Sequence, residues 1–210
     1  MSVTVITIAM MSVTVNRDYH CPMTRWEPDS RGRLAQAALA LYGERGFDDT
    51  TVAEIAERAG LTERTFFRHF ADKRDVLFGG SGALQDLFVD MVRNAPPTAP
   101  PIDAAMLALD AAGALLQDRR DFARQRHAII AASAELRERE LIKLASLSAA
   151  VASALRERGV LEPTASLTGE IAITIFKVGF DRWVALAEQR TLTELMRDSF
   201  DELKAVTAAG

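Results

Sequence analysis

Thr51–Asp72 reads TVAEIAERAGLTERTFFRHFAD, and this stretch decides the fold. Thr51 and Glu54 stand at capping-box spacing, where the hydroxyl accepts the third amide and the carboxylate reaches back to the cap amide. Val52, Ile55, Ala56 and Ala59 recur at helical spacing and form one buried face. Gly60 stops that helix, and Gly60-Leu61-Thr62 leads straight into another with Thr62 as its N-cap. Two short helices joined by a glycine turn of three or four residues describe a helix-turn-helix. In the second of them Phe66 and Phe70 lie four apart and point inward. Arg64, Thr65, Phe67 and Arg68 are left on the outer surface.

Working outward, Ser30–Arg45 carries Leu34, Ala37, Ala38, Leu41 and Tyr42 on one face, and Gly46 ends it as a C-terminal cap. Asp72 caps a further helix that begins at Lys73-Arg74-Asp75. From Arg31 to Leu77 the chain holds 8 Lys and Arg against 8 Asp and Glu, so the unit is neutral as a whole. The distribution is uneven. Arg64, Arg68, His69, Lys73 and Arg74 fall within eleven residues around the outer face of the third helix. A helix entering the major groove needs Arg for guanine and an apolar group for thymine methyls, with other donors for phosphates. Arg64, Phe67 and Arg68 suit the first task, and Thr65, His69 and Lys73 the second. On spacing alone, a trihelical core with solvated arginines is the competing reading.

The ordered set Thr50-Thr51-Val52-Ala53-Glu54-Ile55-Ala56, Ala59-Gly60-Leu61-Thr62 and Thr65–Lys73 closely resembles the signature of tetracycline-repressor (TetR) family regulators. The resemblance covers about Arg31–Leu77. It implies that Thr51 and Thr62 sit at helix starts facing DNA phosphates and that Thr65 and Phe67 meet base or backbone. It implies phosphate contacts at His69 and Lys73. Arg64 and Arg68 vary in the family and are read here as base contacts. Many members carry tyrosine where this chain has Phe67, which lacks the hydroxyl and suits a thymine methyl instead. A second departure is Gly79-Gly80-Ser81-Gly82, inside what the family builds as one long helix. Each glycine costs roughly 1 kcal/mol against alanine in a helix interior, so a kink or break is expected there.

The seven prolines leave 29–95, 102–162 and 164–210 free of helix breakers, and NAPPTAPP at Asn94–Pro101 separates two units. Helices are expected over Asp103–Asp118, Arg119–Ser133, Glu135–Arg158, Thr164–Gln189 and Thr193–Val206. Thr164–Gln189 carries two apolar stripes: Ile171, Ile175 and Val178, and Ile173, Phe176, Phe180 and Trp183. One suits its own domain and the other a second subunit, although a monomeric bundle that hides both is the alternative. The resemblance implies a homodimer through the last two helices. It also implies a small-molecule effector in this domain, with Phe122, His127, Phe176, Phe180 and Trp183 as candidate lining and an acyl-CoA-like ligand faintly suggested. Each of the five is more often plain core.

Composition bounds the rest. The chain has 210 residues, 49% hydrophobic and 26% charged, with a net charge of −4, so any affinity for nucleic acid must come from a local patch. A single cysteine excludes a disulfide framework and a Cys-based zinc site within the chain. No apolar run reaches the roughly 18 residues that span a bilayer. The histidines at 20, 69 and 127 have no nucleophile–base spacing, and no glycine loop follows a strand, so neither catalysis nor a cofactor is expected. Met1–Asp29 repeats MSVTV and has no Lys or Arg before Arg17, so it reads as a loosely ordered arm rather than a secretion signal. Met11 and Met23 are alternative starts within it. A DNA-touching arm through Arg17 and Arg25 is the rival reading, against the offsetting Asp18, Glu27 and Asp29.

The expectation is an all-α protein with three parts: an N-terminal arm over 1–29, a three-helix helix-turn-helix DNA-binding domain over 30–78, and a larger helical ligand-binding and dimerisation domain over 79–210. It would be a cytoplasmic, ligand-responsive repressor that binds a palindromic double-stranded operator as a homodimer, touching no membrane. A helical interaction module without specific DNA binding is the alternative.

Overall fold

The computed structural model describes residues 29–185 and 187–208, and the expected arm lies outside them apart from Asp29. Every regular element among the described residues is helical. Helix α1 (Ser30–Arg45) opens at Asp29, whose side chain accepts the Gly32 amide, and closes at Gly46 with φ 90°. Helices α2 (Val52–Arg58) and α3 (Glu63–His69) are capped by Thr51 and Thr62, and the Thr51–Glu54 box is complete in both directions. Gly60 has φ 65°, so the turn between them needs a residue without Cβ strain. Leu34, Ile55, Phe66 and Phe70 meet in the core of this unit, each at most 3% exposed.

The glycine cluster breaks the next helix as expected. Helix α4 is a single turn, Asp75–Phe78, and α5 begins only at Ser81 and runs to Arg93. Gly79 and Gly80 between them have ψ of −15° and −6°, well short of the roughly −42° of an α-helix. Neither takes a positive φ, so the break arises from flattened right-handed geometry.

Helices α6 (Pro101–Leu116), α7 (Arg120–Ala132), α8 (Ala134–Glu157), α9 (Thr164–Val184) and α10 (Leu192–Ala208) make the larger unit. Pro101 stands at the first helical position, where its missing N–H costs nothing. Helix α9 stops at Val184 instead of reaching Gln189. Arg120 donates to the carbonyl oxygens of Trp183 and Ala185, and Arg124 to that of Val184. These guanidiniums satisfy the terminal carbonyls from outside the helix, and the chain turns away.

Two buried cores result. One holds α5, α6 and α8–α10 together around Phe88, Leu109, Leu155, Ile175 and Trp183. The other belongs to α1–α4, yet it also takes in Ile129, Ile130 and Leu136 from α7 and α8. The N-terminal unit therefore does not close its core alone.

Candidate nucleic-acid interface

The outer face of α3 is built by what its inner face buries. Phe66 is fully buried and stacks with Phe70, the ring centres 5.4 Å apart. That fixes Arg64, Phe67 and Arg68 outward, and Phe67 is 56% exposed with its ring edge-on to Phe66 at 5.5 Å. An exposed phenyl between two exposed arginines presents the apolar and bidentate groups that base edges require. Arg68 Nη2 and His69 Nε2 lie 3.3 Å apart. Thr65 and His69 are half-buried at the margin of this face.

Both capping threonines are exposed. Thr62 Oγ1 accepts the Thr65 amide at 3.2 Å and pairs with the Thr65 hydroxyl at 3.1 Å. Thr51 Oγ1 donates to Glu54 and accepts the Glu54 amide. The Thr51 amide and hydroxyl hold the Glu54 carboxyl below the usual carboxylate range, with Arg45 adding to the effect.

Lys73 stands apart from the expected phosphate contact. Its ammonium donates to the carbonyl oxygens of Phe47, Asp48 and Thr50 at 2.9, 3.1 and 3.0 Å, which uses its three donors. Arg74 is likewise engaged, paired with Asp72 and Glu135 while itself partly exposed. Of the five clustered cationic or titratable residues, Arg64, Arg68 and His69 remain on the α3 surface. Sequence spacing placed Tyr42 on the buried face of α1 but did not reveal that its hydroxyl donates to the Lys73 carbonyl at 2.6 Å, because the two are 31 residues apart.

In the larger unit four of the five expected lining residues come together. Phe176, Phe180 and Trp183 contact in series at 5.8 Å between centres, and His127 lies 6.1 Å from Phe180. Phe88, which the sequence reading passed over, joins them 6.0 Å from Phe176. Phe122 is 42% exposed and outside these ring contacts. Trp183 is fully buried, and its Nε1 has no acceptor. Among the described residues no group of His, Cys, Asp and Glu is placed to hold a metal ion, and no helix is long and apolar enough to cross a membrane.

Residues 34–78 match the family described as bacterial regulatory proteins, tetR family. The HTH-type transcriptional regulator TcmR of Streptomyces glaucescens is 36% identical over 75 residues, which are 36% of this chain and only 33% of TcmR. FadR of Thermus thermophilus, a TetR-family transcriptional repressor solved with lauroyl-CoA, is 26% identical with a TM-score of 0.52. That comparison covers 81% of this chain and 91% of that one. FadR of Bacillus subtilis, solved with stearoyl-CoA, shares the fold at 18% identity and a TM-score of 0.57, covering 81% and 95%.

Proposed function

Because this chain is, by its residues 34–78, a tetR-family bacterial regulatory protein, we propose that it acts as a ligand-responsive repressor on a palindromic operator. It is a transcriptional regulator with a DNA-binding domain, not an enzyme. The observation that carries the finer reading is the outward triad of α3, with Phe67 56% exposed between Arg64 and Arg68. In this reading Arg64 and Arg68 address base edges, Phe67 a thymine methyl, and Thr51, Thr62, Thr65 and His69 the backbone. Residues 30–78 serve as the reader and 79–210 as the effector and dimer domain.

The homodimer forms through α9 and α10. Leu167 and Val178 are 58% and 44% exposed on one stripe of α9, whereas Ile171 of that stripe is half-buried against the core and the expected Ile175 is buried within it. An isologous pair covers this stripe on both copies. Two α3 helices then enter successive major grooves about 34–36 Å apart. The effector is an amphipathic molecule of acyl-CoA type, a reading supported by the lauroyl-CoA of the Thermus FadR and by the aromatic series around Phe180. It favours a conformer whose readers no longer match the operator, lowering affinity by typically 1–3 kcal/mol. The protein works in the cytoplasm.

The test is a mobility shift with fragments of the surrounding genome at several salt concentrations, followed by titration with lauroyl-CoA. Specific retention of one fragment, released by lauroyl-CoA, supports the reading. Equal binding of all fragments at every salt concentration defeats the operator, and retention unaffected by lauroyl-CoA defeats the proposed effector class.

A further inference from the structure

Phe78, the last residue of α4, lies against two arginines of the larger unit. The guanidinium carbons of Arg126 and Arg139 stand 5.1 and 5.5 Å from its ring centre. Arg126 also donates through Nε to the Leu77 carbonyl oxygen at 2.6 Å, and through Nη1 to Glu140 at 3.0 Å. Leu77 and Phe78 are both 4% exposed, so this contact is interior. Arg139 Nε is buried and has no acceptor, so the face of Phe78 is what this part of the guanidinium meets. Ile129, Ile130 and Leu136 complete the seam by packing into the core of α1–α4.

The covalent route between the two units is built quite differently. It runs from α4 to α5 through Gly79 and Gly80, and a Cβ on Gly80 would meet nothing within 4 Å. A glycine joint that packs against nothing on that side transmits torque poorly, because both its torsions are soft. The non-covalent route is stiff by comparison, since a charged donor on a buried carbonyl and two ring-facing guanidiniums have few alternative arrangements. Arg126 is moreover the neighbour of His127, whose ring meets Phe180. One turn of α7 thus touches the aromatic series on one side and the α4 carbonyl on the other.

We propose that Arg126 and Arg139 are the positioning residues for the N-terminal unit, so that its orientation follows α7 and α8 rather than α5. What the device serves rests on the reading of α3 as the DNA contact. The device itself does not, and its test uses neither operator nor effector.

The experiment measures a distance across the joint in the full chain carrying Cys21→Ser. Spin labels are placed at Glu57→Cys on α2 and Ser153→Cys on α8, both exposed positions, and labelled chain is diluted into unlabelled chain. Pulsed electron–electron resonance should give one narrow distance in this parent. Arg126→Met should broaden or shift it while the helix content stays as in the parent. Phe78→Leu, which removes the aromatic face but keeps an apolar side chain and the Arg126 bond to Leu77, should broaden it less and serves if Arg126→Met does not fold. The parent distance surviving in every folded variant overturns the proposal. So does a parent distribution that is already broad and narrows only on Gly80→Ala with Gly82→Ala, which would put control in the α4–α5 joint.

Discussion

The Lys73 ammonium lies 2.9 Å from the Phe47 carbonyl oxygen and 4.4 Å from the centre of the same residue's ring. It thereby fastens the α1–α2 loop to the start of α4 from 26 positions away. Losing a charged donor leaves carbonyl oxygens at Phe47 and Thr50 short of a partner, which costs about 1–3 kcal/mol. Lys73→Met should therefore lower the denaturation midpoint of the N-terminal unit and leave the salt dependence of DNA binding unchanged in the folded fraction. A stable variant whose salt slope drops by about one unit would instead make Lys73 a phosphate contact.

The outward arginines behave differently. Arg68→Ala should relax operator preference at one base position and cost roughly 1–3 kcal/mol there, with little change in melting because the side chain is exposed. Phe67→Ala should weaken discrimination of thymine from uracil at its own position. Binding to an operator series with single-base changes reads both. If all sequences weakened equally in Arg68→Ala, that guanidinium would be neutralising phosphate.

The contrast between these residues shows what a sequence displays and what it hides. The capping of α2 by Thr51 and Glu54, the Thr62 start of α3 and the burial of Phe66 and Phe70 all follow from contacts within four residues, and periodicity exposes them. The engagement of Lys73 with Phe47, Asp48 and Thr50 depends on a loop returning to α4, which no local pattern encodes. The early end of α9 has the same origin. Arg120 and Arg124 are sixty or more positions before the carbonyls they cap, and apolar periodicity alone carries α9 on to Gln189. Phe122 shows another thing that a pattern does not display, since an aromatic on an amphipathic helix can sit at its exposed margin.

The capping box makes α2 sensitive to acid. The folded state holds the Glu54 carboxyl below its ordinary value of about 4.5 through the Thr51 amide and hydroxyl. A depressed folded value stabilises the fold above the unfolded value and loses that contribution as pH falls toward the folded one. The N-terminal unit should therefore lose stability below about pH 4.5, and Glu54→Gln should flatten that part of the profile. Thermal melts between neutral and acidic pH check it. An identical acid slope in both proteins would assign the loss to other carboxylates.

Val178 and Phe180 are two positions apart on α9 but face different surroundings. Val178 is 44% exposed, whereas Phe180 contacts His127, Phe176 and Trp183. Val178→Glu should give folded monomers by placing a charge in the dimer contact. Phe180→Glu should unfold the larger unit. Sedimentation velocity with circular dichroism separates the cases, and a dimeric Val178→Glu protein would move the interface elsewhere.

The glycine joint gives the last expectation, which turns on Gly80 and Gly82. Neither has a positive φ, and a Cβ at either meets no atom within 4 Å, so alanine fits both positions without strain. Gly79 is different, because a Cβ there would approach the Arg31 guanidinium to 2.6 Å, and it is left alone. Gly80→Ala with Gly82→Ala should raise stability by roughly 1–2 kcal/mol, through lower backbone entropy in the unfolded chain and better helix propensity. It should also favour a continuous α4–α5 helix. If the arginine seam holds the N-terminal unit, the double variant in the Arg126→Met background restores a narrow distance between the units, because a stiff helix replaces the lost contact. In the parent background the same pair of alanines should change the distance little while raising the melting temperature. Stability gained without any restoration in the Arg126→Met background would mean that α5 cannot steer α4 even when the helix is continuous. A fall in stability would mean instead that the flattened backbone at Gly80, or the start of α5 at Gly82, does not tolerate a Cβ in the folded state.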